Sequence, residues 1–356
     1  MSEQLSLMSG GDAGAVLPGE QVERLAADPF TSKIAAAIYG GAIGDALGHP
    51  TEFVGSFDAI ESKWGPGGVK GYEIYWNRNG QRFAPYTDDT QMAEQVLRAL
   101  LWGLEGRHGL NDTMNQMASR FIDWAEDPQG GHRAPGNACL SGCRALESGT
   151  PWWRAGGASA GGCGSVMRAY PFGLLFSADL AQAEEWAVAH SKLTHRDPIA
   201  LAACAAMAVG MIHGLRNSPT SLQLSEMVAA ACRYSPRTAA MMAEAVDEAL
   251  SDVSPRKTLQ RLQGWAAHEA IAAAVYIVAR HPEDFRAAVL EGANTPGDSD
   301  SLATLAGSLV GARTGLGGIP PDWIVEIERS RELGDLAMRT ADLLRAVPAA
   351  EGDWNR

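Results

Sequence analysis

The sequence is poor in cysteine, in long apolar runs and in basic residues, and each shortage excludes a class of protein. Five cysteines occur among 356 residues, and their spacings match no zinc-binding pattern. We therefore expect reduced, buried thiols rather than a disulfide framework. No segment reaches about 18 uninterrupted apolar residues, so we expect no membrane span. The start of the chain lacks the basic and apolar regions of a signal peptide, which predicts a cytoplasmic protein.

The shortage of basic residues gives the chain an acidic balance. Asp and Glu total 42 against 29 Lys and Arg, for a formal net charge of −13 at pH 7. A surface that binds nucleic acid needs basic residues to neutralise phosphates, so this charge argues against a nucleic acid partner. Part of the acidity can instead belong to carboxylates that bind cations.

Alanine and leucine are abundant and β-branched runs are few, which favours helix. Apolar residues recur at helical spacing through most of the chain, over residues 32–48, 89–102, 111–126, 170–280 and 300–313. Short strands are predicted at Val69 to Trp76, with a turn over residues 77–80, and residues 127–169 read as irregular.

These patterns predict a single compact all-α domain of orthogonally packed helices with at most a small β-hairpin. The predicted boundaries are a flexible N-terminal tail at 1–30, the domain at 31–346 and a C-terminal tail at 347–356.

Two short acidic motifs each open an apolar helical run, one at residues 87–90 (Thr-Asp-Asp-Thr) and one at 298–301 (Asp-Ser-Asp-Ser). Taken alone, each motif is typical of a helix N-cap, where Asp, Thr and Ser are favoured. Two carboxylates, however, exceed what one cap requires. If the fold brings the two helix starts together, the motifs form an all-oxygen pocket suited to Mg²⁺ or Mn²⁺.

Two further acidic residues lie near a helix end. Asp45 stands in an apolar stretch, where a buried carboxylate needs a hydrogen-bond donor, a charge partner or a metal ion. Glu52 follows on a loop, where, without further context, an acid exposed at the surface is the commoner case.

A glycine-rich stretch at residues 161–168 precedes another helical run. Backbone N–H groups at such a point can cradle a pyrophosphate, although the stretch matches neither the Walker nor the Rossmann pattern. Cys163 lies within it, where a helix start can lower a thiol pKa. His195 can donate to phosphate or ribose, or serve only a structural role.

Taken in order, these segments resemble the ADP-ribosylglycohydrolase family. The matching pieces cover residues 40–48 with Glu52, 86–91, 135–137, 164–168, 193–195 and 297–301. The resemblance implies the all-α fold of that family and two Mg²⁺ or Mn²⁺ ions. It assigns their ligands to Thr87, Asp88, Asp89, Asp298, Asp300 and Ser301. Many members carry Thr where this chain has Ser301, and both residues supply a hydroxyl.

The resemblance also implies a reaction, the hydrolysis of the N-glycosidic bond between ADP-ribose and a protein side chain, usually arginine. An ADP-ribosylated protein would be the substrate and ADP-ribose the product. The implied catalytic residues are Glu52, Asp89 and Asp300. The implied substrate contacts are Asn137, Cys163, Gly164, Ser165, Val166, Met167 and His195. Many members have Asn where this chain has Cys163, which predicts altered ligand contacts.

Two alternatives stay open. One is an enzyme of the same fold that acts on O-linked ADP-ribose (on serine or in O-acetyl-ADP-ribose) or on ADP-ribosylated nucleic acid. The other is a protein that binds ADP-ribose without cleaving it. The sequence does not give the oligomeric state.

Overall fold

The structure is a computed structural model that describes residues 18–128 and 130–346. Within these residues the chain forms eighteen α-helices and one two-stranded sheet. The helices are α1 Pro18–Ala26, α2 Pro29–Gly48, α3 Phe57–Trp64, α4 Asp88–Glu105, α5 Leu110–Glu126, α6 Asn137–Glu147, α7 Trp152–Ala155, α8 Tyr170–Leu175, α9 Leu180–Ser191, α10 Pro198–Leu215, α11 Thr220–Cys232, α12 Pro236–Ala249, α13 Pro255–Arg261, α14 Ala267–Arg280, α15 Phe285–Ala293, α16 Ser299–Thr314, α17 Pro321–Glu326 and α18 Ser330–Ala346. The strands are β1 Trp76–Arg78 and β2 Gln81–Phe83. The expectation of an all-α fold with at most a hairpin is confirmed.

The centre of the fold is the antiparallel pair α2 and α16, both of which are buried along almost their whole length. Small residues let the two backbones meet. An ideal Cβ on Gly44 would lie 2.8 Å from the backbone N of Thr304, and one on Gly48 would lie 2.5 Å from that of Asp300. The pair therefore holds the C-terminal end of α2 directly against the N-terminal end of α16.

Around this pair, helix α4 packs against α5, α8 and α18, and α10 contacts α9, α11, α8, α14 and α16. In the described part of the chain, α10 is the one helix long and apolar enough to cross a membrane by length and composition, with a mean hydropathy of 1.8. Its apolar residues are interrupted by His213, so it is not an uninterrupted apolar run of about 18 residues. Because 83% of α10 is buried inside the protein, it packs as a core helix.

Helix α1 joins the packed structure rather than forming part of a tail. Leu25 is fully buried, and the Gln21 amide donates to the backbone O of Arg331 (3.1 Å) and to Asp335 (2.7 Å) on α18. The expected flexible tail therefore differs from the structure over residues 18–30, because the apolar face of α1 has a partner in α18. The rest of that tail and the tail at 347–356 lie outside the described residues.

The hairpin lies further along the chain than expected. Its turn is Asn79-Gly80, with φ angles of 52° and 79°, a combination that favours Asn-Gly. Val69 is not in a strand, because its backbone N–H and C=O bond instead to the side chain of Asn294 at 2.7 and 2.9 Å. Helices α6 and α7 also lie within the segment expected to be irregular.

Candidate functional site

The two acidic motifs meet although they lie more than 200 residues apart in sequence. The Thr87 hydroxyl donates to Asp300 at 3.3 Å, and the Ser301 hydroxyl donates to Asp89 at 2.9 Å. Thr87 is the N-cap of α4, and Asp300 stands in the first turn of α16. The antiparallel packing of α2 on α16 places the start of α16 where α4 begins. The fold therefore brings all six predicted ligand residues into one region.

Asp45, on α2, holds the start of α4 in place. It is fully buried and accepts hydrogen bonds from the backbone N–H of Thr87 (2.8 Å) and Thr90 (3.0 Å) and from the Thr90 hydroxyl (2.6 Å). Burial, and then the neighbouring Asp300 carboxylate, raise the pKa of Asp45 to about 7. The buried carboxylate is thus satisfied by donors on a neighbouring helix, and its role is to orient the first motif.

Glu52 reaches the site on the loop that follows α2. The Phe53 N–H donates to the Gly297 carbonyl at 2.9 Å, and the Gly297 N–H donates to Val54 at 3.0 Å. Gly297 has a φ of 108°, a left-handed value that favours glycine, and it immediately precedes Asp298. These bonds tie the Glu52 loop to the second acidic motif.

His49 is a site residue that the sequence analysis did not identify. One ligand atom from each of His49, Glu52 and Asp300 lies within 4.8 Å of the other two. His49 Nδ1 is buried, and no hydrogen-bond partner for it occurs in residues 18–128 and 130–346. Its position directly after Gly48, at the end of the helix that carries Asp45, is the signal that could have found it.

The site gathers carboxyl groups that are buried and would repel one another if all were ionised. Burial, followed by the Asp300 carboxylate, raises the pKa of Glu52 to about 10 and raises those of Asp88, Asp89 and Asp298 well above their usual range. No Lys or Arg lines the cavity among the described residues. The two acidic motifs offer only oxygen ligands, which fits hard divalent cations, and the unpartnered nitrogen of His49 lies close to them.

The acidic residues line one end of a cavity of about 400 Å³. Most of the predicted substrate contacts line it as well, namely Asn137, Cys163, Gly164, Met167 and His195. Two do not, since Val166 is fully buried in the core and the Ser165 hydroxyl accepts a bond from Ser191 at 2.9 Å. Thr87 is also buried behind the cavity wall.

The glycine-rich loop offers fewer backbone donors than expected. A 3-10 turn covers Cys163–Ser165, and the N–H groups of Val166 and Met167 donate to the Cys163 carbonyl. The Cys163 N–H donates to Trp265 at 3.2 Å. The first N–H groups of a helical turn have no partner within it, so that of Gly164, which lines the cavity, remains for an anion.

The expectation of a lowered thiol pKa at Cys163 is wrong. The thiol is buried, and burial together with the Asp298 and Asp89 carboxylates raises its pKa well above the usual value. A neutral thiol beside this acidic cluster is a packing group and not a nucleophile.

Two aromatic rings that the sequence analysis did not identify stand at the rim. Phe53 and Trp265 stack with ring centroids 5.2 Å apart, and both remain substantially exposed, at 64% and 42%. They join the Glu52 loop to the segment before α14 and give the acidic cavity an apolar edge.

The family model for ADP-ribosylglycohydrolases matches residues 26–351 of this chain. Among curated proteins, the ADP-ribosyl-[dinitrogen reductase] glycohydrolase of Rhodospirillum rubrum is 26% identical over 83% of this chain and 90% of its own length. The ADP-ribosylarginine hydrolase Tri1 of Pseudomonas putida is 25% identical over 86% of this chain and 77% of its own. An uncharacterized protein of Archaeoglobus fulgidus is 25% identical over 87% and 96%.

A solved structure described as an ADP-ribosylglycohydrolase-related protein complex superposes with a TM-score of 0.61 and 24% identity. It covers 88% of this chain and 98% of its own. That likeness supports the fold. The match of the family model across nearly the whole chain confirms the resemblance read from the motifs, and this protein is a hydrolase that belongs to the ADP-ribosylglycohydrolase family.

Proposed function

We propose that this enzyme hydrolyses the N-glycosidic bond between ADP-ribose and an arginine side chain of a protein, in a reaction that requires divalent cations. The observation that carries the proposal is the cavity in which Glu52 and the two acidic motifs converge without a basic side chain among the described lining residues. Two relatives, named as an ADP-ribosyl-[dinitrogen reductase] glycohydrolase and an ADP-ribosylarginine hydrolase, support the reaction class.

The residues proposed to hold two Mg²⁺ or Mn²⁺ ions are Thr87, Asp88, Asp89, Asp298, Asp300 and Ser301. All offer oxygen atoms, the ligand type both cations prefer, and Asp300 lies between the two groups. When bound, such ions supply Lewis acidity and lower the pKa of a coordinated water. The chain contributes the fixed positions of the ligands, through Asp45 on one side and the contact between α2 and α16 on the other.

Glu52 is the proposed proton carrier. Its carboxyl lines the cavity beside Asp300, and its burial favours the protonated form that a general acid needs. Cleavage at C1 of the ribose develops oxocarbenium-like charge, which nearby carboxylates stabilise. Asp89 and Asp300 line the same cavity as Glu52 and are the proposed acceptors for the proton of the attacking water.

Charge favours arginine as the linked residue. The described lining residues include five carboxylic acids (Glu52, Asp88, Asp89, Asp298 and Asp300) and no Lys or Arg. A guanidinium, which only donates hydrogen bonds, meets acceptors on such a wall and no basic side chain that would repel it. The diphosphate would lie at the other end, near Gly164 and His195.

The test is release of ADP-ribose from matched arginine-linked and serine-linked ADP-ribosyl peptides, with Mg²⁺, with Mn²⁺ and with EDTA. Metal-dependent release from the arginine peptide alone is the expected result. Release from the serine peptide alone would show that the linkage is O-glycosidic.

An Asp300→Ala variant serves as the inactive control. It should still fold, but it lacks the proposed metal ligand through which the two acidic motifs are in contact. If neither peptide is cleaved, calorimetry with ADP-ribose separates the remaining possibilities. Binding that does not depend on the metal would favour a non-catalytic ADP-ribose-binding protein.

A further inference from the structure

Arg168 is a buried cation without an anionic partner. It is the largest side chain in the described structure that is fully buried, and no carboxylate of residues 18–128 and 130–346 lies within salt-bridge distance of it. Its guanidinium stacks over Phe121 with 4.6 Å between the guanidinium carbon and the ring centroid. A buried charge costs free energy unless its hydrogen bonds are satisfied. The groups that accept from the Arg168 N–H groups therefore determine how well the core tolerates this charge.

The hydrogen bonds of Arg168 fix the direction of a short chain that ends at the cavity. A guanidinium can only donate, and Nη2 donates to the Thr194 hydroxyl oxygen at 2.6 Å. That oxygen also lies 2.7 Å from His195 Nδ1. The Thr194 hydroxyl also has a proton to donate, and among the described residues His195 Nδ1 is the acceptor within its reach, so that proton points to Nδ1, which accepts it. The remaining nitrogen of His195, Nε2, then carries the hydrogen.

A second histidine on the same guanidinium takes the opposite form. His190 Nδ1 lies 2.7 Å from the Ala187 carbonyl, which can only accept, so Nδ1 carries the hydrogen. His190 Nε2 accepts from Arg168 Nε at 3.4 Å. Arg168 therefore lies between two neutral imidazoles in different tautomers. His190 is in the core, and His195 faces the cavity. Burial, followed by the Arg168 charge, lowers the pKa of His195 to about 3, which keeps it neutral.

The donor end of His195 stands beside the glycine-rich loop. His195 lines the cavity, and an ideal Cβ on Gly164 would lie 3.3 Å from Nε2. The same stretch offers the N–H group of Gly164, which also lines the cavity. No Lys or Arg is among the described residues that line this cavity, so these neutral donors are what the wall presents to an anionic oxygen.

We infer that Arg168 and Thr194 are positioning residues that hold His195 as an Nε2–H donor for an anionic oxygen of the ligand. This inference rests on the proposed function, in which that oxygen belongs to the diphosphate of ADP-ribose. Arg168 acts through Thr194 and does not touch the ligand.

The first measurement is the tautomeric state of both histidines in the wild-type protein, read from long-range ¹⁵N–¹H correlations of the imidazoles. We expect His195 protonated on Nε2 and His190 protonated on Nδ1. A wild-type His195 protonated on Nδ1 overturns the inference. This measurement needs no variant, so it does not depend on how well any variant folds.

The second measurement compares Thr194→Val, which removes only the hydroxyl, with Thr194→Ser, which keeps it. In Thr194→Val, His195 should lose its single tautomer while His190 keeps its own. The affinity for ADP-ribose should fall about tenfold, the scale of one hydrogen bond to a charged group, with little change in kcat. Thr194→Ser should restore both properties. In a His195→Ala background the Thr194→Val substitution should have no further effect on binding.

Equal binding of ADP-ribose by the wild type and Thr194→Val would refute the inference. A wild-type protein that does not bind ADP-ribose would count against the proposed function instead. In that case the tautomers of His195 in the wild type and in Thr194→Val still decide whether Arg168 and Thr194 position it.

Discussion

The Gly48→Ala substitution should reduce activity strongly while it changes the unfolding free energy only slightly, because the added methyl group displaces residues of the proposed metal site. An ideal Cβ on Gly48 lies 2.5 Å from the backbone N of Asp300, whereas ordinary contact begins at 3.4 Å. The start of α16 must therefore move away by about 0.9 Å. A misplacement of this size at a catalytic group can reduce activity by about 100-fold, and we expect a loss of that order.

The effect of Gly48→Ala on stability should be small by comparison. Overpacking costs about 1–3 kcal/mol. Replacing glycine by alanine within a helix returns about 1 kcal/mol. The net loss of unfolding free energy should stay within about 2 kcal/mol by these two terms. The assay pairs ADP-ribose release and Mn²⁺ affinity by calorimetry with urea unfolding of the same preparation.

Two control variants exist on the same helix. An ideal Cβ on Gly40 lies 2.8 Å from the carbonyl carbon of Gly307, about two turns of α16 from Asp300, so Gly40→Ala overpacks the interface away from the site. On Gly41 the nearest atom is a Tyr170 ring carbon at 3.3 Å, so Gly41→Ala gains helix propensity with little overpacking. Both should retain most activity. If Gly48→Ala keeps wild-type activity and Mn²⁺ affinity, the close contact does not position Asp300.

Three further outcomes are expected. Glu52→Gln should slow turnover by about 10²-fold or more, the scale of acid–base catalysis, while calorimetry shows metal binding intact; unchanged turnover would remove Glu52 from the chemistry. Asp45→Asn should lower unfolding free energy by about 1–3 kcal/mol in urea titrations, because an amide N–H then faces a donor on α4, and a wild-type midpoint would contradict this. In EDTA, the raised pKa values of Asp45 (about 7) and Glu52 (about 10) mean that the folded state binds more protons than the unfolded state. The stabilisation is therefore complete below the pKa of these groups in the unfolded chain, and it is lost as the pH rises through their pKa in the folded protein. The Tm increase caused by Mg²⁺ should then be larger at about pH 8 than at about pH 5, and an equal increase at both would refute the assignment.

The long helices were predictable because their apolar periodicity is strong. Those expected at residues 89–102 and 111–126 are observed as α4 and α5, with small shifts at their ends. Helix α6 was missed because glycine, serine and proline before and within it resemble a loop. The hairpin was displaced because Asn294, which is distant in sequence, takes the backbone bonds of Val69.

The candidate site was predictable where chemistry is local in sequence. The acidic motifs carry paired oxygen ligands within four residues, so their residue types pointed to cations before any fold was known. The roles of Asp45, His49 and Arg168 were not readable, since each depends on a partner from another helix. A buried carboxylate that caps a second helix has the same local sequence as one that binds a metal.

The packing of α2 against α16 has a consequence for the synthesis of the chain. Gly48 accepts a hydrogen bond from Ser299, 251 residues later. At about 5–20 residues per second, a ribosome releases α2 roughly 10–50 s before its partner exists. During that interval a helix that is apolar on all sides has no native surface to cover it. Nascent chains that end before α16 should therefore bind chaperones or aggregate, and the hydrolase should fold only when its synthesis is nearly complete.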